Sequence, residues 1–412
     1  MASQPHHEIV IVGGNFSGVN LAHYLLRITF PALKKAYPSL TYHITLVSPN
    51  THFFFKIASP RAIVDPVQAS NEKIFKSLAD AFKQYKDGLF YHVKGRAIAV
   101  KATEKNVVVQ TDESNLDIAY DSLVIASGTT STSPLWTLHD DHERSASAIK
   151  VLHKALPKAT TVLIAGAGPV GVEVAGEIAS TLPLANVTLL SSGGRLLPSL
   201  KPSIGAKAQK VLESLGVTIK LNTRLENETA DRGVDPILLS DGSAETPDVF
   251  INATGPRIIN TSWLPQSWLD GKEHVSTRDA YFRVRGDGAD NVYAIGDVVS
   301  GSKKTAIEVD AMTVTVASSI GVDISKIFGG SPVPSSQGLL SFLNPFTSTS
   351  PLGQKGYSPM KDTIIIPMGP NAGVGQVMGF PALSFMVKKA KGDNYLMELI
   401  EPFVSGEKWK GK

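Results

Sequence analysis

Glycines at fixed intervals mark two places where this chain could hold phosphate. Gly166, Gly168 and Gly171 form a complete G-x-G-x-x-G series within TVLIAGAGPVGVEVAGEIAS, Thr161 to Ser180, where an apolar run turns straight into a helical pattern. Each glycine answers a separate demand: Gly166 the tight turn, Gly168 close approach of backbone to a pyrophosphate, Gly171 contact of helix with strand. A helix N-terminus behind them carries roughly half a positive charge, so the chemistry is the cradling of a dinucleotide. The same plan appears earlier in EIVIVGGNFSGVNLA, where Gly13, Gly14 and Gly18 follow an Ile/Val strand and Asn15 replaces the central glycine. Asn tolerates positive φ better than other non-glycine residues, so Asn15 is expected to preserve the turn in that conformation. Two such turns imply two dinucleotides, a flavin and a nicotinamide being the usual pair.

The elements that must position these turns repeat along the chain. The first turn leads into a helix from Val19 to about Phe30, then a strand TYHITLV ending at Val47. Ser48 stands where a carboxylate usually grips an adenosine ribose. His52 to Val64, HFFFKIASPRAIV, reads either as a buried loop and helix start or as a lid over a flavin ring, with Arg61 reaching a phosphate. Asn71 to Tyr85 is expected to be an amphipathic helix. Three strands follow, Leu89 to Val100, Asn106 to Thr111 and Leu116 to Ala126, with Gly128 as a sharp exit and Thr129 to Pro134 as a crossing between domains.

The second half repeats the scheme. After Gly166 come a helix, a strand NVTLL, a helix from about Ser203 to Leu215, and PDVFINATGPR, the counterpart of YDSLVIASG. Ser191 occupies the acid-bearing position, about 25 residues past the first glycine. Nothing there repels a 2′-phosphate and Arg195 lies close by, which leaves NADPH open beside NADH. NVYAIGD then delivers Gly296 and Asp297 to a strand end, suited to a ribityl hydroxyl or to capping the helical stretch from about Lys304 to Ile320. Gly329 to Gly356 reads as a linker, followed by a strand DTIIIPMG, a glycine-rich hairpin and a basic amphipathic stretch from Leu383 to Leu399.

Composition bounds the function. At 412 residues the chain suggests two or three domains. A formal charge of +3 is too small to argue for nucleic acid and gives only a mild preference for anionic ligands or surfaces; with no basic arm in the sequence, no nucleic-acid partner is expected. No apolar run spans a bilayer, MASQPHH lacks the features of a secretory signal, and Ala2 excludes N-myristoylation, so the expected location is cytoplasmic; the basic tail reads first as a core-packed terminal helix with a solvated basic face and second as a peripheral contact with an anionic membrane. The absence of cysteine excludes thiol–disulfide relay, cysteinyl flavin attachment and thiolate metal ligation. No metal site is read from the sequence.

Taken together, GGNFSG, HFFFKIASPRA, ASGTTS, GAGPVGVE, INATGP and AIGDV resemble the two-dinucleotide flavoprotein superfamily of glutathione reductase and type II NADH dehydrogenases. Within it the chain is similar to the apoptosis-inducing-factor-like and ferroptosis-suppressor-like branch. The resemblance implies an α/β fold of two Rossmann-like domains with a C-terminal α+β domain. FAD would be held by residues 1–130 and 258–328, NAD(P)H by an inserted 131–257, and 329–412 would form the C-terminal domain. It implies noncovalent FAD at Gly13, Gly14, Asn15, Phe16, Ser17, Gly18, Ser48, Arg61, the backbone near Ala97, Gly128, Gly296, Asp297, Lys304 and Thr305. NAD(P)H contacts fall at Gly166, Gly168, Val170, Gly171, Glu173, Ser191, Arg195 and Gly255.

Glu173 would lie in the first turn of the second dinucleotide helix. The matching carboxylate of the family points toward nicotinamide and flavin, which assigns it positioning or proton transfer, whereas Glu177 is structural. Lys304, opening the helix after Asp297, and Lys56 are candidates to stabilise negative charge on the reduced flavin. A quinone-like molecule is the expected acceptor, and a homodimer is compatible with the resemblance. A biosynthetic tailoring oxidoreductase and a redox-sensing partner protein are the alternative readings.

Overall fold

The computed structural model describes residues 6–226, 236–329, 352–358 and 361–411. Two parallel sheets organise it. The first has the spatial order Val292–Ala294, Ser122–Ile125, His6–Val12, Thr41–Ser48, Phe90–Lys94. Ile9, Val10, Ile11 and Val12 are all buried, because a parallel sheet covered on both faces needs a continuous apolar run and not an alternating one. The second sheet repeats the logic in the order Thr218–Lys220, Asn186–Leu190, Thr161–Ala165, Val249–Asn252. In each, the strand entering a glycine turn sits inside the sheet, so the turn emerges at the carboxyl edge where ligands bind.

Short strands join the two halves: Thr129–Ser131 pairs antiparallel with Pro256–Ile259. Strand Val292–Ala294 belongs to the first sheet although it follows the second in sequence. The helix Ala306–Ile327 packs on the first dinucleotide helix, Phe16–Tyr24, where Asn20 Nδ2 donates to Asp310 Oδ1 at 2.9 Å and Thr313 Oγ1 at 3.0 Å. Trp409 Nε1 donates to Asn20 Oδ1 at 2.9 Å, tying the chain's end to the same helix.

Several expected elements are divided by tertiary contacts. Asn71 to Tyr85 is not one helix: Phe75–Ser77 is a strand paired with His52–Phe54, between the short helices Asn71–Ile74 and Leu78–Phe82. Phe75 stacks on Phe54 at 4.6 Å, and that pairing overrides the local helical pattern. The run Leu89 to Val100 splits at Gly95, its first part joining the parallel sheet and its second, Arg96–Lys101, an antiparallel sheet with Asn106–Gln110 and Asn115–Ala119. Leu116 to Ala126 likewise splits between Asn115–Ala119 and Ser122–Ile125.

The C-terminal part forms a three-stranded antiparallel sheet, Ile364–Pro367, Gly373–Val377 and Phe380–Pro381, followed by short helical segments. It lies against the second dinucleotide helix, Pro169–Thr181, so closely that a Cβ added at Gly176 would stand 2.5 Å from Met368 Cα. Of the expected linker, 330–351 lies outside the described residues. Within 352–358, Gln354 Nε2 donates to Ser318 Oγ and Ser319 Oγ, each at 3.0 Å.

Candidate active site between two dinucleotide turns

The glycine roles read from spacing are visible as distances. Gly166 has φ +110°, and a Cβ there would lie 2.4 Å from the Ala253 carbonyl oxygen. At Gly171 a Cβ would come within 1.7 Å of the Gly166 carbonyl oxygen, whereas at Gly168 it would meet nothing within 4 Å. The outer glycines are demanded by packing, and the middle one leaves backbone bare toward the cleft. The first turn matches at both ends, Gly13 at φ +129° against Ala126 and Gly18 against the Gly13 carbonyl. Its centre differs from expectation: Asn15 is extended, with φ −125° and ψ −150°, and its Oδ1 accepts from Phe54 N–H at 3.1 Å. The residue is there to bind the aromatic segment, since no positive φ is required of it.

Both turns open into one cavity of about 1740 Å³. That exceeds the roughly 300–1,000 Å³ of a pocket for one drug-sized ligand, and suits two dinucleotides meeting end to end. Around the first turn it is lined by Gly13, Gly14, Asn15, Phe16, Ser17, Ser48, Lys56, Ala97, Gly128, Asp297, Lys304 and Thr305. Around the second it is lined by Gly166, Gly168, Val170, Glu173, Ser191, Arg195 and Gly255. Gly18, Gly171 and Gly296 stand behind this wall as packing points; a Cβ at Gly296 would lie 2.1 Å from Ser17 Oγ.

Asp297 follows strand Val292–Ala294, and Lys56 Nζ lies 3.7 Å from its Oδ2. Thr305 caps the helix Ala306–Ile327, its Oγ1 accepting from Glu308 N–H at 3.3 Å. Lys304 stands just outside that helix, exposed, with φ +56°. Ser48 Oγ donates to the Asn50 carbonyl at 3.0 Å and is buried beneath Gly14. Ser191 Oγ and the Arg195 guanidinium are turned to their own loop: Ser191 reaches the Gly193 and Arg195 carbonyls, and Arg195 donates to Leu200 O at 2.9 Å and Pro198 O at 2.5 Å. Arg224, a residue missed at the sequence level, also lines this end of the cavity.

Arg61 corrects the sequence reading. It does not line the cavity but is buried, pairing through Nε with Glu177 Oε2 at 2.6 Å and donating from Nη2 to the Gly392 carbonyl at 3.0 Å. A guanidinium taken out of water requires a carboxylate, and Glu177 supplies it. Tyr395 completes the group, its hydroxyl donating to Glu177 Oε1 at 3.0 Å and its ring lying 5.0 Å from Arg61 Cζ. Burial, with Glu173 and Glu177 nearby, pushes that hydroxyl well above its ordinary pKa, so it stays a donor.

Glu173 is also placed differently. The helix begins at Pro169, so Glu173 lies beyond its first turn, buried, with Oε1 accepting from Lys391 Nζ at 2.5 Å. Burial pushes its carboxyl up to about 7, against the opposing pull of Lys391 and with a further push from Glu177. Lys391 comes from the stretch Leu383 to Leu399. The expected single basic amphipathic segment is broken into Ser384–Val387, Lys388–Gly392 and Met397–Leu399, and its middle turns one lysine into the cleft. Lys391 Nζ also lies 5.2 Å from the Tyr395 ring centre, so both cations are within reach of the same ring. Nothing local in the sequence could have marked Lys391, which sits 218 positions from its partner.

These residues fit FAD at the first turn and NAD(P)H at the second. Both glycine turns are intact, Gly168 is bare, and Asp297 reaches the same cavity from the first sheet. When bound, FAD accepts the hydride of NAD(P)H and passes two electrons on. With no cysteine in the chain, those electrons do not travel through a disulfide.

Comparison with known proteins agrees with the geometry. Residues 7–321 match the model of the family described as pyridine nucleotide-disulphide oxidoreductase. Oxidoreductase ptaL of Pestalotiopsis fici is 32% identical, over 92% of this chain and 94% of that protein. Ferroptosis suppressor protein 1 of Homo sapiens is 24% identical, over 93% of this chain and 92% of its own. Among solved structures, NDH2 from Plasmodium falciparum in complex with NADH superimposes with a TM-score of 0.64 at 17% identity, covering 98% of this chain and 99% of that one. The chain belongs to the pyridine nucleotide-disulphide oxidoreductase family, as a cysteine-free oxidoreductase that uses FAD and NAD(P)H.

Proposed function

We propose that the protein transfers reducing equivalents from NAD(P)H through FAD to a quinone-like acceptor. The observation that carries this reading is the Glu173–Lys391 pair, buried in a cleft shared by both dinucleotide turns in a chain without cysteine. Reducing a quinone with NAD(P)H consumes one proton beyond the transferred hydride. Glu173, with its carboxyl near neutrality, holds a proton at Oε close to working pH, where a general acid is most effective. Lys391 Nζ fixes the carboxyl's orientation and supplies positive charge where reduction accumulates negative charge. Trp136, Trp263, Ile364 and Ile365 give the cavity an apolar wall suited to a flat ring.

A lipid surface is a natural source of such an acceptor. Phe380 and Phe385, 75% and 67% exposed, stand with exposed Leu383 and Met386 beside Lys388 and Lys389, a composition that suits peripheral contact with an anionic bilayer. No helix among the described residues is long and apolar enough to cross a membrane.

The test is anaerobic stopped flow. NADH or NADPH should bleach the flavin, and a water-soluble quinone should restore it within a turnover time. Rapid bleaching with no restoration by any quinone would sink the reading. A second reading, an oxidoreductase tailoring a soluble small molecule, is favoured by the full-length match to oxidoreductase ptaL. It predicts that reoxidation follows only a particular organic substrate, and that loss of the exposed phenylalanines leaves turnover unchanged.

A further inference from the structure

A second constellation lies at the other end of the first sheet, away from Gly13 and Ser48. Side chains alternate along a strand, so His6 and Glu8 share one face of His6–Val12. The parallel register sets Glu8 opposite His43 and His6 opposite Thr41. His43 therefore joins His6 and Glu8 on that face, although 35 residues separate Glu8 from it in sequence. Glu8 Oε1 accepts from Thr45 Oγ1 at 2.6 Å, which turns Oε2 toward both imidazoles. His6 Nε2 lies 3.3 Å and His43 Nδ1 3.8 Å from that oxygen, and the three candidate ligand atoms lie within 4.8 Å of one another.

We propose that His6, Glu8 and His43 form a binding site for a divalent transition-metal ion of the zinc class. Tetrahedral zinc with bonds of about 2.0–2.1 Å holds its ligand atoms roughly 3.4 Å apart. The His6–Glu8 pair already meets that spacing, and a small rotation brings in His43. The outer contacts are those a metal site uses to fix its ligands: Thr45 on the second carboxylate oxygen, and Thr41 Oγ1 at 3.2 Å from His6 Nδ1. Side-chain exposures of 38% for His6, 19% for Glu8 and 33% for His43 let an ion reach the site and leave a fourth position for water. The ion would clasp the first two strands at their starts, remote from the cofactor cleft. Its role is structural, since a ligand held only by the folded chain stabilises the fold.

The experiment titrates chelator-treated, flavin-loaded protein with Zn²⁺ by calorimetry, and with Co²⁺ by its visible absorption. One ion per chain should bind, with Co²⁺ giving the strong bands of four-coordination and Zn²⁺ raising the melting temperature. His43→Ala and Glu8→Gln should each weaken binding by at least about tenfold, the loss that changes in outer contacts alone can bring. Flavin content and NAD(P)H turnover should be unchanged in both. His142, whose ring stacks on His52 at 3.6 Å, marks a separate histidine pair. Loss of binding in His142→Ala with retention in His43→Ala would overturn the proposal, as would an absence of stoichiometric binding by the unaltered protein.

Discussion

The two glycine turns share a backbone plan and differ in what covers them. Over the first, Asn15 is tied to Phe54, Gly14 is seated on Ser48, and Phe53, Phe54 and Phe55 are almost wholly buried. Phe16 closes the group, its ring centre 5.0 Å from Phe53 and 5.3 Å from Phe403. Over the second, Ser192, Gly193 and Gly194 are exposed, and Gly168 has open space before it. A roofed turn suits a resident cofactor, and an open one suits a nucleotide that must leave after every hydride transfer. The glycines create the cradle in both cases, while the surrounding segments cover one and leave the other open.

Replacing the leading glycine of each turn tests this most severely. In Gly13→Val the side chain is driven into the Ala126 carbonyl, 2.1 Å from the Cβ position, and the purified protein should be colourless. Gly166→Val should stay yellow but lose bleaching by NAD(P)H, and flavin loss from both variants alike would erase the proposed difference. Next in size is Arg61→Leu, which leaves Glu177 buried without its cation and should cost about 3–5 kcal/mol in denaturant unfolding. Were Arg61 a phosphate ligand instead, flavin would dissociate while stability changed little.

Glu173→Gln should slow turnover on the order of 10²-fold and remove the decline in rate above pH 7. The sign of its effect on stability follows from the raised pKa. Between the ordinary value of 4.5 and about 7, the folded protein holds this proton more tightly than the unfolded chain, so this group's contribution falls as pH rises through that window. Glu173→Gln should flatten that slope, and an unchanged slope in chemical denaturation would show that the carboxyl is ionised throughout. The smallest effect is expected from Ser191→Asp, which introduces the carboxylate absent from the second turn. It should shift the ratio of dissociation constants toward NADH by about tenfold, read from nicotinamide fluorescence.

Much of the cofactor frame was legible because a glycine turn is a local object. Gly166, Gly168 and Gly171 stand at a spacing that is read within six residues, although the crowding at Gly166 comes from Ala253 on a neighbouring segment, and the apolar strand before them announces a covered parallel sheet. Arg61 shows where such reading fails. An arginine in an aromatic segment near a phosphate-binding turn is chemically suited to phosphate, yet its carboxylate partner lies 116 residues away on another helix. Asn71 to Tyr85 fails for a related reason, since the local pattern is helical but pairing with His52–Phe54 draws its centre into a strand. At Asn15 the expected left-handed backbone is absent: the residue is extended, and its side chain accepts from Phe54 N–H.

The amino-acid order alone determined the two phosphate turns, the strands that feed them and the exclusion of thiol chemistry, because these depend on neighbours in the chain or on composition. Tertiary structure alone decided that Lys391 meets Glu173, that Arg61 serves Glu177, and that His6, Glu8 and His43 converge. Those meetings depend on strand register for His6, Glu8 and His43, on helix packing for Arg61 and Glu177, and on docking of the C-terminal part for Lys391, so they are fixed by packing between distant segments and not by any local propensity.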